Sequence, residues 1–579
     1  RVGYGFATEF NIYAAVGNGE FALVGHGKQT ATSSKVRIIF SKPVTCDHLK
    51  FEFKDVNRSH KYVASAKEFV FLQSNQKNDV DTLMNLFTDY AKYQIAPAYA
   101  SLQAIGELRA KFQNNLNYKD NIKPILDRAE RILNGDLVFD ARREFSTAPD
   151  AENKIARNGD IVSYAKNTLK FNSFTTNRQV TGIAARADEV VNIYVEAEEG
   201  DPLPRIRFSQ FYGHWSKWLG GEIRLSRGLN RLTVPYLKNS SYSKEVVSGG
   251  AIYIVNPYDE TQQSSNVKVY IEDGDLYPVF RKDDDENTYK AELAEYVAAV
   301  NANPDKVINI TELVSNHTMM TVQANRANEL YQTNSPQENM ENWETTVRDV
   351  LHFAGVEFEE GQPYYDKRNN FLNVNFRVSQ HWPNGFMFCH TEHIGLYAGG
   401  SEDTLIRSVN DNGKSSIGWG FIHEIGHALD IPERTVGETT NNMVANYNNT
   451  YKLGLIRNEN YFSSVLNSIS SDRDLKTDLW GSDRYNYMVY WLLQSLDTNY
   501  WAKQENLYRY TTGITGLTKT EKQVYIASLA MGIDLSYYFE RWGTFRIGSD
   551  PSFTYDGSSD AFKSYMQQAK DSGKVKEET

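Results

Sequence analysis

Cysteine is nearly missing from this chain: Cys46 and Cys389 are the two in 579 residues. They lie far apart, in stretches that read as different domains, which argues against a disulfide framework and against a cysteine-ligated metal. So little cysteine fits either a cytosolic protein or an exported bacterial one. No run of about 18 apolar residues occurs, so no transmembrane helix is expected. Positive charge is in deficit as well. Lys and Arg number 62 against 73 Asp and Glu, a net charge of -11, and no basic patch stands out. Nucleic acid is therefore not an expected partner. The chain starts at Arg1 rather than Met and shows no export signal, which predicts a mature or trimmed form. Histidine is sparse, with 11 residues, and none follows His427.

Aromatics are plentiful at 13 %, including 36 Tyr. They suit sugar stacking or β-sheet cores, and the core reading is the default. A chain of 579 residues exceeds one core, so several domains are expected. Residues 1–73 read as β, from short alternating runs such as "FNIYAAV", "KVRIIFSKPV" and "HLKFEFKDV". This pattern resembles the later part of a discoidin-like (factor five/eight type C) β-domain, a fold often used to bind sugars. Residues 74–146 switch to apolar spacings of three and four and predict a helical spacer. Residues 147–278 return to β, with "VNIYVEA", "RIRFSQFYG" and "GGAIYIVNP" separated by turns, and predict a β-sandwich. From 279 to 579 helical patterns dominate, for example "TYKAELAEYVAAVN" and "KTEKQVYIASLAMG"; the polar tail after Ser564 is expected to fray.

The stretch "GKSSIGWGFIHEIGHALDIPERTVGETTNN", residues 413–442, holds the chemistry. His423 and His427 are four apart, so on an α-helix both imidazoles share a face and can reach one ion. Ile417, Phe421, Ile425 and Ala428 form an apolar stripe, Ser415 or Ser416 can cap the start, and Pro432 ends the helix by about Asp430. Glu424 beside the first imidazole can act as general base on a water at the metal's open position. A random H-E-x-x-H in a chain of this composition has odds on the order of one in a hundred. With no histidine downstream, the third ligand must be a carboxylate. Glu433 lies close behind the Pro432 break. Glu438 is better placed, opening a new helical pattern after the "RTVG" turn. Asn442, one turn later, could hydrogen-bond a ligating imidazole. His390 and His393 in "FCHTEH" are three apart, but that segment reads as an extended strand edging a cleft.

"GWGFIHEIGH" followed by "GETTNN" resembles the enhancin-like zinc metallopeptidases, the viral enhancins and bacterial mucin-degrading proteases. "GGAIYIVNP" upstream and "YIASLAMGIDLSYYFERWG" downstream extend the resemblance over roughly residues 165–545. It implies His423, His427 and Glu438 as ligands of one Zn²⁺ per chain and Glu424 as general base, a gluzincin-type site. It also implies a multidomain α+β protein, with β-sandwich modules and a helical spacer followed by a mainly helical, zincin-like metallopeptidase domain at 279–579. The implied activity is a secreted or cell-surface endopeptidase cleaving O-glycosylated, mucin-type proteins at the bacterial surface or outside the cell, with host glycans as partners. Two other readings stand beside it: a glycan-binding adhesin with an inactive protease fold, and another zinc hydrolase such as an aminopeptidase. Intact His423, Glu424, His427 and Glu438 argue against the first, and the lack of an acidic amine-binding signature before the helix argues against the second.

Overall fold

The computed structural model describes residues 7–17, 19–28, 44, 46–56, 83, 85–90, 92–115, 118–147, 158–173, 178–197, 201–211, 218–237, 249–256, 267–379, 387–397, 399–410, 412–455, 487–542 and 558–577. The chain forms two compact units, Arg1–Phe139 and Asp140–Thr579.

In the first unit, strands Ala22–Lys28, Ala7–Ala15 and His48–Val56 form an antiparallel sheet in that order. Phe10 and Ile12 are buried beneath Val24, Leu49 and Phe51. Three strands do not by themselves identify a discoidin-like fold, and residues 57–82 lie outside the described residues. The spacer is only partly helical. Leu102–Phe112, capped by Ser101, and Lys123–Leu133 are helices, joined through Ile105, Leu108, Phe112, Leu126 and Ala129. Phe87–Asp89 and Gln94–Ile95, which the apolar spacing assigned to a helix, are instead a short antiparallel pair. Tyr93, at φ 58°, turns the chain between them.

The second unit opens with two stacked antiparallel sheets. One orders Ile223–Arg224, Arg205–Phe208, Gly249–Val255, Arg178–Arg186 and Asp275–Leu276. The other orders Gly228–Thr233, Val190–Glu196, Lys268–Ile271 and Glu144–Ser146. Ile183, Ile206, Phe208, Ile252 and Ile254 of the first meet Val191, Ile193, Val195, Val269 and Ile271 of the second in one core. This is the alternating inward pattern of a sandwich, with Val190–Glu196 buried at every second residue. The helix Asn158–Asn167 interrupts the expected β stretch, and Ile161, Tyr164 and Ala165 pack into the core of the C-terminal region.

That region is mainly helical, as the patterns predict, but its helices are built on a sheet that those patterns did not announce. A six-stranded sheet orders Val279–Arg281, Thr311–Val314, Thr318–Val322, Val374–Ser379, His393–Tyr397 and Met387–His390, with parallel and antiparallel pairs. Thr318–Val322 escapes a periodicity reading because it is covered on both faces: all five of its residues are buried, so no polar alternation marks it. Helices Glu286–Ala302, Pro336–Phe353, Trp419–Leu429, Tyr500–Tyr510 and Lys519–Met531 build the core around this sheet. The charged run at 281–290 supplies the first of them with its cap, Asp285, which accepts from Thr288 N–H at 2.8 Å. The tail is ordered rather than frayed. Asp560–Asp571 is a helix that buries Phe562, Met566 and Ala569, and Lys570 pairs with Asp534 at 2.8 Å. Among the described residues no helix is long and apolar enough to cross a membrane.

Candidate active site

The helix carrying H-E-I-G-H spans Trp419–Leu429. Its apolar stripe does what the spacing demands, with Ile417, Phe421, Ile425 and Ala428 all buried. Its start is not capped by serine as expected. Gly418 holds the N-cap position without a side-chain bond. Ser415 Oγ accepts from Ile417 N–H and Asn342 Nδ2, and Ser416 Oγ donates to the Arg407 carbonyl. On the flank away from the stripe, the imidazoles of His423 and His427 stand 4.8 Å apart, centroid to centroid, at 89°.

The connector that follows is anchored by buried charge. Asp430 pairs with Arg434 at 3.0 Å and accepts from Thr440 Oγ1 at 2.9 Å, while Arg434 Nε reaches Glu505 at 2.7 Å. Between these anchors the chain turns at Glu438, whose φ is 55°. Glu438 thus lies in a left-handed turn ahead of the helix Asn442–Tyr447, not on a helix as the pattern suggested. The turn aims its carboxylate at both imidazoles: Oε2 is 3.1 Å from His423 Nε2 and Oε1 is 3.4 Å from His427 Nε2. Their ligand atoms lie within 4.8 Å of one another, the one His/Cys/Asp/Glu grouping suited to a metal among the described residues. Glu433 is elsewhere, paired with Lys170 and Lys522.

Asn442 braces the arrangement with both ends of its carboxamide. Oδ1 is 2.7 Å from His423 Nδ1, and Nδ2 donates to the Glu438 carbonyl at 2.6 Å. Since Oδ1 can only accept, Nδ1 carries the proton and Nε2 keeps its lone pair toward Glu438. Two imidazoles and a carboxylate converging on one point form a donor set that suits a cation. Contact with the His423 and His427 imidazoles holds the Glu438 carboxyl well below the usual carboxylate range. Burial draws the His427 pKa down, but the Glu438 and Glu424 charges outweigh it and the net shift is upward. Glu424 is 9 % exposed; burial raises its carboxyl pKa, the imidazoles oppose the rise, and Glu438 adds to it.

Two residues that sequence reasoning passed over complete the site. A Cβ on Gly426 would stand 2.2 Å from the Asn441 carbonyl oxygen, so only glycine lets the Asn441 backbone press onto the helix between the two histidines. Asn441 then inserts its side chain beside both rings. The edge strand Met387–His390 packs along the same helix, and the Cys389 main chain hydrogen-bonds Glu424. His390 and His393 face each other across the hairpin, but His393 accepts from Trp218 Nε1 at 3.1 Å and is a core residue.

Residues 291–543 match the family model for peptidase M60, enhancin and enhancin-like. This region belongs to the enhancin-like M60 peptidases. The match begins later than the resemblance at residue 165 suggested, at the helix that follows the sandwich. Among solved structures, the M60 catalytic domain of Clostridium perfringens ZmpB with two CBM32 modules superposes at TM-score 0.67 and 24 % identity, covering 97 % of this chain and 56 % of that one. This chain therefore spans about half the length of that protein. The ZmpB metallopeptidase from Clostridium perfringens is 27 % identical at TM-score 0.57, covering 67 % of this chain and 78 % of that one. The M60 catalytic domain of ZmpC from the same organism, in complex with the sialyl T antigen, is 23 % identical at TM-score 0.57, covering 70 % and 77 %. No curated protein matches the chain at a significant level.

Proposed function

We propose that this protein is a zinc endopeptidase that cuts O-glycosylated, mucin-type proteins outside the cell or at the bacterial surface. The observation that carries the reading is the convergence of His423, His427 and Glu438, with Glu424 beside them and left out of the cluster. The first three residues would hold Zn²⁺; Glu424 remains free to handle protons. Bound there, the ion supplies Lewis acidity toward water and the scissile carbonyl. Glu424 takes a proton from the attacking water and hands it to the departing amine nitrogen, a shuttle that its raised pKa favours. Asn442 orients His423 through its Nδ1, and holds the Glu438 turn through its carbonyl.

The substrate class rests on the resemblance to the enhancin-like peptidases and on one similar structure, the M60 catalytic domain of ZmpC, which is seen with the sialyl T antigen. The test is digestion of a mucin-type glycoprotein, with and without chelator and with and without prior deglycosylation, read by mass spectrometry of the cut sites. Chelator-sensitive cuts that vanish on deglycosylation are expected. Equal cutting of the bare protein would refute the glycan requirement, and cutting in the presence of chelator would refute the metal.

A further inference from the structure

The helix Trp419–Leu429 is flanked by the hairpin that joins Met387–His390 to His393–Tyr397. The Cys389 main chain in that hairpin hydrogen-bonds Glu424, so the general base is held wherever the hairpin sits. The ladder between the two strands ends at the His390–His393 pair. Thr391 and Glu392 form the tip beyond it, and contacts from outside the hairpin hold them.

The sandwich supplies most of these contacts. Arg178 Nη1 and Arg207 Nη1, on two strands of its five-stranded sheet, meet the Glu392 carboxylate at 3.0 Å and 3.1 Å. Arg178 Nη2 also donates to the Glu392 carbonyl at 3.2 Å, and Trp218 Nε1 donates to His393 Nδ1 at 3.1 Å. A second tether comes from Ser173. Its Oγ donates to the His390 carbonyl at 2.7 Å and its N–H to the Ala428 carbonyl at 3.0 Å, so one residue ties the hairpin to the end of the helix. All four donor residues precede residue 291, where the family match begins. Burial is the largest cost to the charge on Arg178; Arg207 adds to that cost and Glu392 offsets it. The carboxylate is therefore what lets two neighbouring guanidinium groups grip one turn.

We propose that Glu392 is a positioning residue of the active site: held by Arg178 and Arg207 of the sandwich, it fixes the hairpin whose Cys389 main chain keeps Glu424 in place. The proposal rests on Glu424 as the general base. A tip released from the sandwich lets the edge strand shift against the helix, and a displacement of about 1 Å at a reacting group costs on the order of a hundredfold in rate. His423, His427 and Glu438 stand on the helix and its following turn, so metal affinity does not depend on the tip.

The experiment compares wild type, Glu392→Gln and Ser173→Ala as full chains supplied with zinc. Glu392 is 39 % exposed against 1 % for Arg178, so the anion is the partner to alter without opening the core. Glutamine keeps the shape and removes the charge; alanine removes one hydroxyl from the second tether. The measurements are kinetics on a mucin-type glycoprotein, zinc affinity by chelator competition, thermal melting, and a short pulse of N-ethylmaleimide with each cysteine read separately by mass spectrometry. Cys389 packs against the core beside the helix, and burial pushes its thiol pKa up, so the clamped hairpin protects it. Cys46, in the other compact unit, is the internal reference. For Glu392→Gln, kcat is expected to fall about ten- to a hundredfold with KM and zinc affinity unchanged. Cys389 should be modified about tenfold faster and Cys46 at the wild-type rate. Ser173→Ala should move the same readouts in the same direction by less. Wild-type kcat in Glu392→Gln would overturn the proposal, as would an unchanged Cys389 rate. Parallel loss of kcat, zinc and melting temperature would overturn it too, because a merely structural role would then explain the effect. A wild type that leaves the glycoprotein uncut would sink the peptidase reading instead, and the Cys389 pulse would still decide whether Glu392 holds the hairpin.

Discussion

Glu424 and Glu438 are two carboxylates that feel the same imidazoles, and their surroundings push them in opposite directions. Burial raises Glu424, while contact with the His423 and His427 imidazoles lowers Glu438. The two should therefore separate under mutation. Glu424→Gln is expected to keep metal bound and to cut by three or more orders of magnitude less, on the order of a general base's contribution or beyond. Glu438→Ala should lose metal and activity together. Metal content by elemental analysis beside turnover distinguishes them; a Glu438→Ala protein that binds zinc normally would mean that another residue is the third ligand. Arg434 makes a different case. Its side chain is 3 % exposed and pairs with Asp430 and Glu505, so Arg434→Met removes a buried cation from two buried carboxylates, leaving Thr440 on Asp430 and Arg509 at 3.7 Å from Glu505. A loss of roughly 3–5 kcal/mol in denaturant unfolding is expected. A loss below about 1 kcal/mol would mean that the network contributes little.

At the level of elements, the decisive contact is between the helix Trp419–Leu429 and the segment that crosses it at Gly426. In an ordinary helix Gly→Ala stabilises by about 1 kcal/mol. Here the added methyl meets main chain, so Gly426→Ala should destabilise by about 1–3 kcal/mol and weaken metal binding, as melting and chelator competition would report. A more stable, fully metal-competent variant would contradict the close approach. This helix was readable in advance because its periodicity, its flanking Pro432 and its motif all agree. The turn at Glu438 was not, since a left-handed glutamate carries no local signature and its conformation is imposed by the Asp430–Arg434–Thr440 anchors. The Phe87–Ile95 pair and the doubly covered strand Thr318–Val322 were misread or missed for a related reason: tertiary burial, not local pattern, decides them. Asn441 could have been noticed as the neighbour of Asn442 in "TTNN", but only geometry shows that its side chain reaches both rings.

For the whole molecule, the compact units 1–139 and 140–579 divide the response to metal. A ligand that binds only the folded state stabilises it by about 2.7 kcal/mol at a hundred times its dissociation constant. Chelation should therefore lower the thermal transition of the 140–579 unit by a few degrees and leave that of residues 1–139 in place, as differential scanning calorimetry would resolve. Equal shifts in both would contradict the assignment of the site to one unit. The exposure of the three side chains that would hold the ion is uneven within that site: Glu438 is 59 % exposed, against 18 % for His423 and 24 % for His427. An ion held there would meet solvent and competing chelators on the carboxylate's flank, so Glu438 would be the arm to let go first and the two ring nitrogens the last.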